Sequence, residues 1–293
     1  MSNNIKAIQL ALLSTAFFTI ANAMIKMATS DFHVFQIIIF RQSIILLATM
    51  PAIIRTWPNT LKTKRPLAHI VRLSGASTGM IGGMIAVSGL PLATATTLGF
   101  AKIMFLAILA FLFLKESLGP HRVGAIIVGF LGVLLVMRPD VDGMINPYTL
   151  VAVLAAVGSA VASASVRSLT RTDSTETLLA YQALAIGILA AIPLYWVWQQ
   201  PDWQGLLFLI SIGLVSTIAQ WLGIVSYRYG EASLVGSIDY MNLVYASFLG
   251  YFIFSEIPDK QTIAGAVLII GASAYIMHRE ALNKKRKRLE ERP

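Results

Sequence analysis

Three ionisable side chains lie deep inside apolar runs: Arg41 in "FRQS", Lys102 in "TLGFAKIMF" and Asp239 in "VGSIDYMNLVY". In a bilayer each costs about 2.5–3.5 kcal/mol at a helix centre, so each must face protein or a water-filled cavity. An acid and a base in such a place can lock two helices together as a permanent ion pair. They can also hold the amine and carboxylate of a zwitterionic substrate, or the acid can carry a coupling proton. Arg41 has a plainer alternative as well, since it could bond backbone carbonyls or snorkel toward a membrane interface. Asn22, Gln182, Gln220 and Asn242 are neutral polar groups in the same apolar setting, suited to interhelical hydrogen bonds or to ligand contact. Tyr240, Tyr245, Trp221 and Tyr227 suit a core, a membrane interface or a stacking platform for an aromatic ring.

Other chemistries are missing from the sequence. It contains no cysteine, which removes disulfides and thiolate metal sites. No G-x-x-x-x-G-K-[ST] segment is present, so no nucleotide-driven pump is read. His33, His69, His121 and His278 fall at the ends of apolar runs, without metal-ligand spacing, and no serine elbow with a partnered histidine appears. The expectation is a non-enzymatic protein with no catalytic residue, no metal and no cofactor. An enzyme acting within the membrane would need a deep nucleophile and base, and no histidine is placed to serve.

The elements that must position these residues are membrane helices. The 293 residues are 56% hydrophobic and 13% charged, with a mean hydropathy of +0.72, whereas a soluble domain carries about 25% charged residues. Ten runs are long enough to cross a hydrocarbon core of about 30 Å: roughly 6–28, 34–54, 70–90, 93–114, 121–138, 147–168, 177–198, 205–227, 232–254 and 261–278. The first run, with Lys6 before it and Ala21-Asn22-Ala23 near its end, has the look of a signal peptide, but the repeat below needs it as a helix. Of the 23 lysines and arginines, only Lys26, Arg138 and Lys260 fall outside if the N-terminus is cytoplasmic, and Arg41 and Lys102 are within spans. The rest, including Arg55, Lys62, Lys64, Arg65, Arg72, Lys115, Arg122, Arg167, Arg171, Arg228 and the tail "NKKRKR", lie inside. That asymmetry places both termini in the cytoplasm. It also assigns the net charge of +9 to topology and lipid headgroups, not to nucleic acid.

The two halves resemble one another at a shift of about 140 residues. "FLFLKESLGPHRVGAIIVG" parallels "YFIFSEIPDKQTIAGAVLI"; Glu116 pairs with Glu256, Lys26 with Arg167, Phe40 with Tyr181 and Trp57 with Trp198. After one inserted residue Gly124 pairs with Gly265 and Arg138 with Arg279. Five spans per half is an odd number, so the second half enters from the opposite side. This is the inverted repeat of many secondary transporters, whose site lies near mid-membrane between the halves. The domains read as 1–143 for the first repeat, 144–279 for the second and 280–293 for a basic tail. Under the same shift Asp239 aligns with Gly99 and Lys102 with Asn242. Residues three apart share a helix face, so Asp239–Asn242 and Gly99–Lys102 occupy matching faces of helices nine and four.

Ten spans as five plus five, a fourth helix ending "FLKE", the segment "GPHRVGAIIVGFLGVLLVMRP" and its twin "FSEIPDKQTIAGAVLIIGA" resemble the EamA family of the drug/metabolite transporter superfamily. The likeness spans the whole chain. "NTLKTKRPLAHIVR" and "EIPDKQTIAGAVLII" are also similar to the family's bacterial S-adenosylmethionine uptake carriers. The resemblance implies an all-α, multi-pass protein of the bacterial inner membrane. It implies alternating access, helices four and nine beside a central pathway, a small-molecule substrate and, more often than not, export. Many relatives carry a proline where this chain has Ile103, which leaves the fourth helix less kinked here. The expected substrate is a small amino-acid- or amine-like metabolite, its carboxylate toward Lys102 and its amine toward Asp239. Asn242, Arg41, Tyr245, Tyr240, Trp221, Gln220 and Asn22 are further candidates around it. S-adenosylmethionine uptake is the alternative, with an aromatic neighbour for the adenine, and a passive channel is a rival of another class.

Glycines mark the remaining contacts. Gly75, Gly79 and Gly83 recur every four residues in helix three, either for close packing or to leave room for substrate. Gly124, Gly129 and Gly132, with Gly265 and Gly271, make helices five and ten surfaces for packing or for a homodimer. Pro193 in helix seven is a candidate kink.

Overall fold

The computed structural model describes residues 3–56, 63, 65–114, 120–137, 146–169, 173, 175–229 and 238–290. Several sequence landmarks therefore lie outside the described residues, among them Trp57, Lys62, Lys64, Lys115, Glu116, Arg138 and Arg171. The described residues form eleven helices and no strand: α1 (Asn3–Ala28), α2 (Val34–Thr56), α3 (Pro66–Gly89), α4 (Leu92–Gly99), α5 (Ala101–Leu114), α6 (Pro120–Met137), α7 (Pro147–Leu169), α8 (Thr175–Val197), α9 (Trp203–Tyr229), α10 (Met241–Phe254) and α11 (Lys260–Glu290). Taken together, α4 and α5 are one span, which gives ten. Eight stretches are long and apolar enough to cross a membrane, and Val123–Met137 and Met241–Phe254 are shorter apolar helices. The protein is an all-α membrane protein.

The sequence explains many of the helix starts. Proline opens α3, α6 and α7, where its missing N–H costs nothing and its fixed φ suits the first turn. α11 continues into the basic tail as far as Glu290, where Lys, Arg, Glu, Leu and Ala are good helix formers. Pro193 does not end α8, which continues to Val197.

Helix pairing follows the repeat. α3 packs on α7 as α1 packs on α9; α2 touches α9 as α8 touches α3; α4 and α5 touch α7 as α10 touches α1. The pairs α2–α8, α4–α10 and α6–α11 each join counterpart spans. Exchanging the two halves carries this pattern onto itself. Lipid tails are as apolar as leucine, so association must come from close packing and hydrogen bonds. The α3–α7 seam shows it. A Cβ on Gly75 would lie 2.7 Å from the Gly158 carbonyl oxygen, and one on Gly158 would lie 2.7 Å from that of Gly75. Gly132 and Gly265 make the same approach between α6 and α11, a seam within one chain. α1 belongs to the bundle: Ala21 and Ala23 are buried, and Ser14 Oγ donates to the Ala219 carbonyl of α9 at 2.8 Å.

Candidate functional site

The fourth and ninth spans depart from regular helix at positions that the repeat makes equivalent. Phe100 separates α4 from α5, its N–H bonding the Thr97 carbonyl and its carbonyl accepting from Ile103 N–H, both at 3.1 Å. Tyr240 stands in the same relation to α10: Asn242 N–H bonds the Asp239 carbonyl and Leu243 N–H the Tyr240 carbonyl. These are i to i+3 bonds, a local tightening of the helix. The fourth span is thus interrupted three residues before Ile103, at a site without proline. The rings of Phe100 and Tyr240 meet, centroids 5.3 Å apart, so the two interruptions touch where the halves meet. The Tyr240 hydroxyl donates to Met277 Sδ at 3.3 Å.

These interruptions set the charges. Lys102 occupies the first turn of α5 and is exposed; Asp239 is half-buried in the turn before α10. Each therefore sits at the N-terminal, positive end of a helix, which favours Asp239 and leaves Lys102 seeking an anion. The Lys102 charge acts electrostatically on Asp239, yet the two make no contact within ion-pair range. Among the described residues the ion pairs are Lys26–Glu256 and His69–Asp173. A Cβ at Gly99, on the Lys102 face, would meet no atom within 4 Å, so this face borders open space. Gly83 of α3 is equally open, although Gly75 and Gly79 are packed.

A polar stripe on α1 approaches α10. Thr19 Oγ1 donates to Asn242 Oδ1 at 2.9 Å. Asn22, half-buried, lies one turn along the same face. Lys26, four residues further, pairs with Glu256 and donates to the Leu90 carbonyl at 2.6 Å. Glu256 also accepts from the Leu92 N–H at 2.8 Å. One acid and one base thus tie together the end of α1, the α3–α4 junction and the end of α10. The sequence puts Lys26 on the outer side of the membrane at the end of the first span, and Glu256 enters there only as the residue that pairs with Glu116 in aligning the halves. Their recurrence as Arg167 and Glu116 in the other half was the available signal.

The other candidates disperse. Arg41 is buried in the middle of α2. Tyr245 is half-buried on α10, beyond Asn242, and Gln220 is half-buried on α9. Trp221 is 62% exposed and points away from the bundle, in the manner of a lipid-facing aromatic. Gln182 belongs to a separate cluster: it accepts from Arg72 Nη2 at 2.8 Å, and Arg72 Nη1 bonds the Leu178 carbonyl at 3.1 Å. Nearby, His69 Nε2 lies 2.8 Å from Asp173 Oδ2 and its ring meets Tyr181 edge-on. His69 is thus engaged within the protein, and no group of three or more metal-ligating side chains occurs among the described residues.

Comparison with known proteins agrees with this architecture. The model of the EamA-like transporter family matches the chain twice, over residues 5–138 and 146–277. An S-adenosylmethionine uptake transporter of Rickettsia bellii is 30% identical over 94% of both chains. The pseudopaline exporter CntI of Pseudomonas aeruginosa is 29% identical over 90% of this chain and 93% of its own. A riboflavin transporter of Brucella anthropi is 28% identical over 84% of this chain and 88% of its own. A chain of known crystal structure superposes with a TM-score of 0.57 at 19% identity, covering 91% of this chain and 96% of the other, which supports the fold alone. With two matched repeats and relatives that are transporters, the chain belongs to the EamA-like transporter family and is a multi-pass membrane transporter, not an enzyme.

Proposed function

We propose that the protein is a secondary carrier in the bacterial inner membrane that moves a small zwitterionic metabolite by alternating access. Its two repeats, 1–143 and 144–279, rock about the contact between α4–α5 and α10. Both termini and the 280–293 tail face the cytoplasm, and transport runs outward. The substrate carboxylate binds Lys102 at the α5 N-terminus and its amine binds Asp239, with Asn242, Asn22 and Tyr240 beside them. The observation that carries this reading is the unpaired state of Lys102 and Asp239 at two interrupted helices whose rings touch. A structural bridge would be closed, as Lys26–Glu256 is.

A second reading is S-adenosylmethionine uptake or exchange. The Phe100–Tyr240 ring pair beside the two charges favours it, since that substrate joins an amine, a carboxylate and a sulfonium to an adenine. Counterflow of labelled solute into proteoliposomes tests both. A panel of amino acids, polyamines and S-adenosylmethionine is offered to wild type and to Asp239→Asn. Saturable counterflow lost in the variant is expected for the true substrate, and a channel cannot produce it. Undiminished counterflow in Asp239→Asn would sink the site assignment.

A further inference from the structure

Two arginines are buried inside this bundle, and they are in opposite situations. Arg72 has its guanidinium fork filled by the Leu178 carbonyl and Gln182 Oε1 of α8. Arg41 has no hydrogen bond and no ion pair to any described residue. Its Nε is enclosed and unpartnered, as is that of Arg72; the contrast lies in the two terminal nitrogens, which bond protein in Arg72 and bond no described residue in Arg41, whose overall exposure is 7%. Burying an uncompensated charge is among the most costly arrangements a protein can hold. A residue that only fastened helices would be bonded as Arg72 is.

Its place on α2 agrees. Ile37, Ile38 and Ile45 lie on the Arg41 stripe and are buried, so the guanidinium points into the bundle and not toward lipid. On either side of that stripe α2 meets its neighbours: Gln42 reaches the Gln182 carbonyl of α8, and Ile44 packs at Gly213 of α9. Ala48, two turns further along the stripe, is exposed. The repeat adds one more fact. One residue beyond the Phe40–Tyr181 match, Arg41 aligns with Gln182, the acceptor for Arg72. The second half holds a neutral, satisfied amide where the first half holds a bare cation.

We propose that Arg41 anchors a carboxylate-binding subsite on α2, additional to Lys102, so that the transported metabolite carries at least two anionic groups. The planar fork of a guanidinium fits a carboxylate through two parallel N–H···O bonds. Among the described residues Arg41, Lys102 and Asp239 are charged groups within spans that make no ion pair with another described residue, and a substrate with two carboxylates and one amine would balance their charges. S-adenosylmethionine, with one carboxylate, would leave one cation empty. This deepens the carrier reading and rests on it.

The test uses purified full-length protein and thermal unfolding in detergent, with L-alanine, L-glutamate and succinate as probes, because a ligand of the folded state raises its midpoint by mass action. Glutamate and succinate are expected to stabilise wild type in a saturable way, and alanine far less. Arg41→Gln should weaken the apparent affinity for both dicarboxylates at least tenfold, and Arg41→Lys should recover part of it. Arg72→Gln should lower the midpoint without ligand and leave the glutamate shift intact, separating anchoring from packing. An unaltered shift in Arg41→Gln, or no shift of wild type by either dicarboxylate, overturns the subsite. If Arg41→Gln loses the shift while Lys102→Gln with Asp239→Asn keeps counterflow, the charge-pair assignment fails and the Arg41 subsite stands.

Discussion

Two acid–base pairs join the same parts of this molecule, and one is closed while the other is open. Lys26 and Glu256 are in contact, and each bonds a backbone group at the α3–α4 junction as well. Lys102 and Asp239 are within electrostatic reach but make no contact. Both pairs bring charges from the first half to the span containing α10. The difference is in their surroundings. The closed pair is wrapped by helix ends and by Phe254, whose ring centroid lies 5.0 Å from Lys26 Nζ. The open pair borders the space beside Gly99. The closed pair is satisfied by the protein; the open pair makes no ion pair with a described residue, and in the proposed mechanism the substrate would satisfy it.

The largest effect is expected from removing the open pair. Lys102→Gln with Asp239→Asn should reduce saturable counterflow at least a hundredfold. Each lost charged hydrogen bond is worth about 1.5–3 kcal/mol, and a factor of ten needs about 1.4 kcal/mol. Stability should hardly fall, because the pair makes no contact. Wild-type transport by the double variant would mean that the pair only spaces the helices. A large loss of thermal midpoint with residual transport would mean the same.

The next effect sharpens the other side of the contrast. Glu256→Gln leaves Lys26 without its counter-charge and weakens the bond from Leu92 N–H, for a cost of about 1–3 kcal/mol. That pair lies where α1 ends, the outer face in the proposed orientation, and should shut the pathway there. The chain has no cysteine, so a single Gly99→Cys reports on access without background. With Glu256 intact, an impermeant thiol reagent added outside should label Gly99→Cys slowly; with Glu256→Gln the rate should rise about tenfold. Equal rates would remove the gating role. The repeat aligns Arg167 with Lys26 and Glu116 with Glu256.

What could be read in advance followed from periodicity and self-similarity. The ten spans, the two halves and the Asp239–Lys102 relation all come from patterns along the chain. The interruption at Phe100 follows directly on Gly99, the last residue of α4 and a poor helix former; what periodicity along the chain does not show is that the ring of Phe100 meets that of Tyr240, 140 positions away. Trp221 shows a similar limit: hydropathy cannot tell a tryptophan facing lipid from one facing a cavity. The Arg72–Gln182 and His69–Asp173 contacts join residues more than a hundred positions apart, and nothing local announces them. Arg41 was visible as a buried cation. That it is bare while Arg72 is bonded is a property of the packed state alone.

The smallest effect tests the same contrast of filled and empty within one helix. Gly75 and Gly83 are two turns apart on α3 and look alike in sequence. A methyl at Gly75 would meet the Gly158 carbonyl at 2.7 Å and the Ala162 nitrogen at 2.9 Å, all backbone. Neither atom can turn aside, so Gly75→Ala should separate α3 from α7 and cost about 1–3 kcal/mol. A methyl at Gly83 would meet nothing within 4 Å. Gly83→Ala should be neutral or stabilise by up to about 1 kcal/mol through helix propensity, and any penalty should appear in substrate affinity instead. Thermal midpoints and counterflow KM for the two variants check this directly. If both lose stability alike, Gly83 is packed like its neighbour and the open space beside α3 is not part of the pathway. If Gly83→Ala raises KM at unchanged midpoint, then one glycine of the row serves the seam and the other the substrate.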